Sequence, residues 1–144
     1  NLLGKEDIDI IVNLLREVKP HQIYAAGDLA DPHGTHSVCL DAIMQAFDVV
    51  CEDDWFKDCY VWLYRGAWLE WEAVPVSPSE LSIKRQAIYR HGSQNNGPAY
   101  PGDDPREFWQ RAEDRNRNTA DLYNKLGMAE YEAMEVFVRY MHGK

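Results

Sequence analysis

One short stretch of the chain concentrates side chains that bind metals or transfer protons, and it reads Gly27-Asp28-Leu29-Ala30-Asp31-Pro32-His33-Gly34-Thr35-His36. Its two histidines lie three residues apart, and imidazole is both a common zinc ligand and a proton donor near neutral pH. The stretch follows an apolar run and precedes an amphipathic segment. It therefore has the form of a strand-to-helix junction, where α/β proteins place their ligands. The residue types alone leave two interpretations open: part of a metal-hydrolase centre, or a histidine that caps the following helix.

The spacing of apolar residues predicts the helices and strands that position this stretch. Apolar side chains recur at helical spacing from Ile8 to Val18 and indicate a helix over residues 5–19. The sequence then predicts a strand over 21–26, a helix capped near Thr35, and strands over 60–64 and 68–74. A further helix is predicted from Ser77 or Ser79 to about His91. Residues 105–142 are predicted to be helical, with a break near Gly127. Residues 92–105 are dense in Gly, Pro and Asn and longer than an ordinary connection, which indicates a functional or capping loop.

This order of elements predicts an α/β fold built as one domain over residues 1–144. A doubly wound sheet contains several buried parallel strands that are each followed by a helix, and only the strand ending at Ala26 has that character. We therefore expect a partial Rossmann-like sheet with flanking helices and a helical C-terminal region, whose first strands lie elsewhere. Sheet edges left open in this way favour pairing with another copy, so we expect a homodimer.

Composition and charge argue against some classes of binding partner. Residues 1–76 contain 5 Lys and Arg against 14 Asp and Glu, whereas residues 77–144 contain 10 of each kind. An acidic half without a basic stripe argues against binding to nucleic acid or to an anionic membrane. The sequence has no apolar run of membrane-spanning length and no secretory signal, and its three cysteines form no CxxC pair. We expect a cytoplasmic protein.

Two motifs resemble those of the LmbE/PIG-L family of zinc-dependent de-N-acetylases. The stretch Asp31-Pro32-His33-Gly34-Thr35-His36 is similar to the family's His-Pro-Asp-His motif. Downstream, the family's Lys-x-x-Ala-x-x-x-His-x-Ser-Gln pattern is matched by Lys84, Ala87, His91, Ser93 and Gln94. The resemblance extends over about residues 5–140. The stretch around His33 is most similar to the LmbE-like extension that follows the sugar-isomerase domain in some glucosamine-6-phosphate deaminase-like proteins of the Bacteroides group.

The resemblance implies a separate role for each of these residues. His36 would be a zinc ligand, and His33 would stabilise the oxyanion and protonate the leaving amine. Thr35 stands where the family has an acidic residue, and Asp31 or Asp28 would replace that carboxylate beside His33. The segment with His91, Ser93 and Gln94 would lie near the substrate, an amino sugar or sugar phosphate. The alternative for His91 is that it caps its own helix.

The family's first motif, Ala-His-Pro-Asp-Asp, does not occur in the sequence. In the family that motif supplies the other metal ligands and the general base, and a catalytic zinc site usually takes three protein ligands. We therefore expect zinc and de-N-acetylation of an N-acetylglucosamine derivative in a longer parent protein with an N-terminal deaminase domain, and no activity in this chain alone. Two alternatives stay open: a non-catalytic LmbE-like module for oligomerisation or regulation, and an unrelated metal-binding α/β domain.

Overall fold

A computed structural model describes residues 3–27, 34–64, 72–95, 105–127 and 130–143 of the chain. The elements in chain order are α1 (Lys5–Val18), β1 (Gln22–Ala26), α2 (Thr35–Val50), a 3-10 helix (Asp54–Asp58), β2 (Tyr60–Tyr64), β3 (Glu72–Val76), α3 (Pro78–Arg90), α4 (Gly92–Asn95), α5 (Phe108–Asn124) and β4 (Ala133–Tyr140). The four strands form a sheet in the order β1-β2-β4-β3. The chain divides into two units, one containing Asn1–Glu72 with Phe137–Lys144 and the other containing Ala73–Val136.

The first unit is built on the central strand β2. β1 lies parallel to it, with Gln22 beside Tyr60 and Ala26 beside Tyr64, and the end of β4 lies antiparallel on its other side. Helices α1 and α2 supply most of the core, because their apolar residues recur every three or four positions and share one face. The buried members are Ile8, Val12, Ala42, Ala46, Phe47, Val50, Phe56 and Val61. This core fixes the two elements, β1 and α2, that flank the histidine-containing stretch.

The second unit packs α3 against α5. Helix α3 begins with a capping box, in which the Ser77 hydroxyl accepts a hydrogen bond from the Glu80 N–H and the Glu80 carboxylate accepts one from the Ser77 N–H at 2.8 Å. Pro78 suits the first helical position because its missing N–H has no partner there in any case. Among the described residues of this unit, the buried apolar side chains are Leu81, Ala120, Ala133 and Met134. Ion pairs also join the elements of this unit: Arg85 with Glu113 between α3 and α5, and Lys84 with Glu135 between α3 and β4.

The predicted α/β class is confirmed, and so are the elements over α1, β1, α2, β2 and α3. The prediction of helical structure over 105–142 is wrong in its last part, because Ala133–Tyr140 forms β4 and pairs with β2. The predicted strand over 68–74 is confirmed from Glu72 onward; residues 65–71 lie outside the described residues. In the described part of the chain, no helix is both long and apolar enough to cross a membrane.

Candidate functional site

His36 is the second residue of α2, the helix that follows β1 in the chain. Strand β1 ends at Ala26, and the next residue, Gly27, donates its N–H to the Tyr64 carbonyl at 2.7 Å. The His36 side chain is half-buried, and its Nδ1 atom is buried from solvent. The structure thus places this imidazole in the first turn of the predicted helix, with part of its ring inside the protein.

The start of α2 differs in one residue from the prediction. The N-cap is Gly34 rather than Thr35, and its backbone has φ 71° and ψ −5°, the left-handed conformation that glycine adopts at least cost. The Gly34 carbonyl accepts the Val38 N–H at 3.0 Å and the Ser37 hydroxyl at 2.9 Å. Thr35 is therefore the first helical residue, and Gly34 sets the direction in which the chain enters the helix that carries His36.

The other candidate site residues of the histidine-containing stretch lie outside the described residues. This holds for Asp28, Asp31 and His33. Within the ranges that the structure describes, no three His, Cys, Asp or Glu side chains form a group able to hold a metal ion. His36 is one imidazole, whereas a catalytic zinc ion usually takes three protein ligands. The described residues therefore do not make a zinc site by themselves.

Lys84, the first residue of the downstream motif, lies at the centre of a polar cluster in the second unit. Its ammonium donates to the Glu135 carboxylate on β4 and to Asn116 Oδ1 on α5 at 3.0 Å. Asn116 is buried, and its Nδ2 donates to the Met134 carbonyl at 2.8 Å. One lysine thus links α3, α5 and β4, which is a structural role that the spacing of the motif does not reveal.

A second charged pair, Arg85 with Glu113, also joins α3 to α5. Arg85 Nε donates to Glu113 Oε1 at 2.6 Å and Arg85 Nη2 to Oε2 at 2.8 Å. The guanidinium also lies over the Trp109 ring, 4.4 Å from its centroid. Hydrogen bonding to Arg85 holds the pKa of Glu113 below its ordinary value, and the burial of the carboxylate opposes that shift. The pair keeps a buried carboxylate ionised.

The predicted substrate segment begins where α3 ends. His91 is the C-cap of α3 and donates its backbone N–H to the Ile88 carbonyl at 3.0 Å. Its side chain and that of Ser93 are exposed, and Gln94 lies in the short helix α4. The backbone of His91 takes part in ending the helix, while the exposed imidazole is accessible to a ligand.

Sequence reasoning missed Glu113 and Asn116. Both lie among the many charged residues of α5, and such a composition is typical of a helix face exposed to solvent. A signal was present, because Glu113, Asn116 and Ala120 follow one another at spacings of three and four and share the buried face. This spacing identifies Glu113 and Asn116 as buried only once it is known that Lys84 and Arg85 on α3 face them.

Comparison with known proteins links the chain to a longer relative. No protein-family model matches the chain. A Bacteroides thetaiotaomicron protein named glucosamine-6-phosphate deaminase-like is 56% identical over 149 aligned residues, which cover 98% of this chain. The chain spans only 22% of that protein, as its C-terminal part.

Two solved structures share the fold. A deacetylase of the teicoplanin biosynthesis pathway superposes with a TM-score of 0.59 and 20% identity, over 94% of this chain and 53% of its own. Teicoplanin deacetylase in a zinc-inhibited form gives a TM-score of 0.60 and 21% identity, over 96% of this chain and 52% of its own. The described α/β architecture is therefore that of about half of a deacetylase of the LmbE fold.

Proposed function

We propose that this chain forms part of a de-N-acetylase domain that acts on an N-acetylglucosamine derivative within a longer amino-sugar enzyme. The observation that carries the proposal is the position of His36, half-buried in the first turn of α2, in a fold shared with deacetylases over nearly the whole chain. The 56% identity to a glucosamine-6-phosphate deaminase-like protein supports an amino-sugar substrate.

In this proposal His36 is one ligand of a catalytic zinc ion, and the remaining ligands come from outside the described residues. When bound, zinc would polarise the acetyl carbonyl and acidify a water molecule. His33 would stabilise the charge that develops on the carbonyl oxygen and protonate the departing amine, since an imidazolium does both near neutral pH. The exposed His91 and Ser93, with Gln94, would contact the sugar. We expect the 144-residue chain alone to be inactive because its sequence does not contain the Ala-His-Pro-Asp-Asp motif that supplies the other ligands in the family.

The test uses two proteins: the 144-residue chain, and a chimera defined as the Bacteroides thetaiotaomicron protein in which this chain replaces the matched stretch. Acetate release from N-acetylglucosamine-6-phosphate and zinc content are measured for both. The chimera is expected to bind zinc and release acetate, and His36→Ala is expected to reduce both, acetate release by about a hundredfold or more. His21→Ala, which changes an exposed histidine before β1, serves as the matched control. Equal zinc content and activity in His36→Ala and His21→Ala would overturn the assigned ligand.

A second candidate is a non-catalytic module that serves oligomerisation or regulation of the longer enzyme. The observation that favours it is the lack of Ala-His-Pro-Asp-Asp in this sequence. In that case the chimera releases no acetate, while deletion of the stretch changes its oligomeric state or its glucosamine-6-phosphate deaminase activity. The same preparations therefore separate the two candidates.

A further inference from the structure

The sheet of the first unit buries aliphatic side chains on one face and exposes aromatic side chains on the other. Side chains alternate between the two faces of a strand. On β2, Val61 and Leu63 are 3% and 6% exposed, whereas Tyr60 is 45% exposed and Trp62 is half-buried. Tyr24 on β1 is 55% exposed. Large rings that stay exposed on the strands of a sheet indicate a contact surface.

The pairing of the strands brings these rings together with two polar side chains. Trp62 pairs with Tyr24 on one side and with Arg139 on the other, and Tyr60 pairs with Gln22. Paired residues of neighbouring strands project from the same face of a sheet. We call Gln22, Tyr24, Tyr60, Trp62 and Arg139 the aromatic face. All five residues belong to the first unit.

The rings of the aromatic face are held in a fixed relation to one another. The Tyr60 and Trp62 rings are nearly parallel, with 14° between their planes and 6.5 Å between their centroids. The Tyr24 hydroxyl donates to Gln22 Oε1 at 2.6 Å, and the Tyr24 ring meets the Phe137 ring edge-on, with 5.7 Å between centroids. Side chains that are already ordered lose little entropy when a ligand binds. The surface is therefore preorganised for a flat, rigid ligand.

Arg139 adds a positive charge that no acidic side chain in the described part of the chain neutralises. Its guanidinium lies over the Tyr60 ring, 4.3 Å from the centroid, and neither an ion pair nor a hydrogen bond joins it to another described residue. Arg16, by contrast, is paired with Asp53 at 2.8 Å. A stacked guanidinium keeps its N–H donors free in its own plane, and this fork matches two oxygens of a phosphate. The aromatic face therefore combines a stacking surface with a free anion-binding group.

The residue types on this face favour a sugar over a packed helix. The buried face of the same strands is aliphatic, with Ile23, Val61, Leu63 and Val138. The aromatic face has no Val, Leu or Ile side chain in β1, in β2 or in the part of β4 that pairs with β2. A helix packs its aliphatic ridge against an aliphatic surface. An aromatic ring instead contacts the C–H groups of a sugar ring, while amide and guanidinium groups bond its oxygen atoms.

The charge of the chain disfavours another ligand that stacks on aromatic side chains. Single-stranded nucleic acid binds to aromatic rings that line a basic groove. Residues 1–76 contain 14 Asp and Glu against 5 Lys and Arg, so a polyanion would be repelled. A small ligand with one phosphate group needs only the fork of Arg139.

We propose that the aromatic face binds a sugar phosphate, whose ring stacks on Trp62 and Tyr24 and whose phosphate is bound by Arg139. The choice of an amino sugar rests on the proposed function and on the relative named glucosamine-6-phosphate deaminase-like. The face begins at Gln22 and Tyr60, the first residues of β1 and β2, whereas the chain leaves β1 towards α2 at the other end of the strand. These ends are roughly 13 Å apart along a five-residue strand. This sugar site is therefore separate from the candidate catalytic stretch.

The test is a titration of the 144-residue chain, followed by NMR through the indole N–H of Trp62 and the Nε–H of Arg139. The probes are N-acetylglucosamine-6-phosphate, N-acetylglucosamine and inorganic phosphate. The sugar phosphate is expected to shift both signals to saturation and to bind about tenfold more tightly than either other probe, because charge-assisted hydrogen bonds add to stacking. The absence of a saturable shift, or equal affinity for the two sugars, overturns the proposal.

Two matched pairs of variants identify the residues. Arg139→Gln should lower the affinity for the sugar phosphate to that for the unphosphorylated sugar, whereas Arg90→Gln, at an exposed arginine of the second unit, should leave it unchanged. Tyr24→Leu should weaken the binding of both sugars severalfold, whereas Tyr89→Leu, at a tyrosine of the second unit that is 51% exposed, should not. All four changes are at exposed positions, and circular dichroism checks that the fold is kept. Equal affinities within either pair overturn the proposal.

The chimera tests whether the aromatic face is open in the longer protein. Phenylglyoxal modifies exposed arginines, and mass spectrometry detects the modified peptide that contains Arg139. We expect Arg139 to be modified in both the chain and the chimera, and to be protected by the sugar phosphate in both. An Arg139 that does not react in the chimera without ligand overturns the proposal, because another part of the longer protein then covers the face. Protection in the chain alone that grows with its concentration also overturns it, because a second copy is then the occupant.

Neither readout requires turnover. A chimera that binds the sugar phosphate at Arg139 but releases no acetate would contradict the proposed deacetylase activity and support the sugar site. A chimera that releases acetate without binding at Arg139 would do the reverse.

Discussion

Arg85 on α3 and Glu113 on α5 form a two-point ion pair, with both carboxylate oxygens accepting hydrogen bonds from one guanidinium at 2.6 and 2.8 Å. The Glu113 side chain is 8% exposed, whereas that of Arg85 is 42% exposed. A buried carboxylate is stable in its ionised form only when it is paired and hydrogen-bonded. The contact between α3 and α5 therefore depends on the charge of Glu113.

The first prediction is that Glu113→Gln destabilises the protein at neutral pH and not in acid. The pKa of Glu113 is lowered in the folded state by the Arg85 hydrogen bonds, so the stabilisation is fully present above the ordinary carboxyl pKa of about 4.3. It is lost as the pH falls through the lowered folded pKa. We expect a loss of about 1–2 kcal/mol in the free energy of unfolding at pH 7. Urea unfolding at pH 7 and near pH 3 measures it.

Asp121→Asn is the matched control for this prediction, because Asp121 is an exposed acidic residue on the same helix. Asp121→Asn also removes one negative charge from α5 but leaves the ion pair between Arg85 and Glu113 intact. A loss at pH 7 that persists unchanged at pH 3 in Glu113→Gln would show that the ion pair is not its cause.

The second prediction concerns the cluster around Lys84. Lys84→Met leaves the buried Asn116 Oδ1 without the ammonium that donates to it, and a buried acceptor without a donor costs about 1–3 kcal/mol. Lys84→Arg keeps the charge and should recover part of the loss. Thermal and urea unfolding of both variants measure the effect, and the exposed Lys125→Met serves as the control. Lys84→Met and Lys125→Met with equal stability would contradict the role of the cluster.

The elements that sequence reasoning located are those whose pattern is local. Helix α1 follows from its apolar spacing, β2 from a run of β-forming residues at Tyr60–Tyr64, and the start of α3 from the capping candidates Ser77 and Ser79, of which the structure selects Ser77. The sequence pattern does not predict strand β4, because its partner residues on β2 lie 73 to 79 positions earlier in the chain. Ala133, Met134 and Glu135 favour a helix by themselves, and the pairing with β2 overrides that preference.

In the candidate site too, features set by neighbouring residues in the sequence were predictable, and contacts between distant residues were not. The position of His36 at the start of a helix was predictable, because the apolar strand before it and the amphipathic segment after it are adjacent in sequence. The partners of Lys84 were not, because Asn116 and Glu135 come from two other elements, 32 and 51 residues away. Contacts of this kind depend on which helix faces pack together, and a single sequence does not specify that.

The third prediction tests the hydrophobic core of the first unit. Phe47 is completely buried, and its ring lies 5.2 Å from that of Phe56 and 6.2 Å from that of Tyr140 between centroids. Phe47→Ala is expected to cost about 3–5 kcal/mol, because it removes buried apolar surface and leaves a cavity. Chemical denaturation monitored by circular dichroism measures the loss. Val49→Ala changes an exposed residue on the same helix and should cost far less; similar losses would argue against the packing described.

The last prediction concerns Gly34, which controls how the chain enters the helix that carries His36. Gly34→Ala forces an L-residue to adopt φ 71°, a left-handed conformation that costs roughly 1–2 kcal/mol. No atom lies within 4 Å of the Cβ that the substitution adds, so backbone strain is the main expected cost. Gly92→Ala is the matched control, because its Cβ also meets open space and its backbone does not have a positive φ. We expect a lower urea midpoint for Gly34→Ala than for Gly92→Ala, and equal midpoints would refute the conformation assigned to the start of α2.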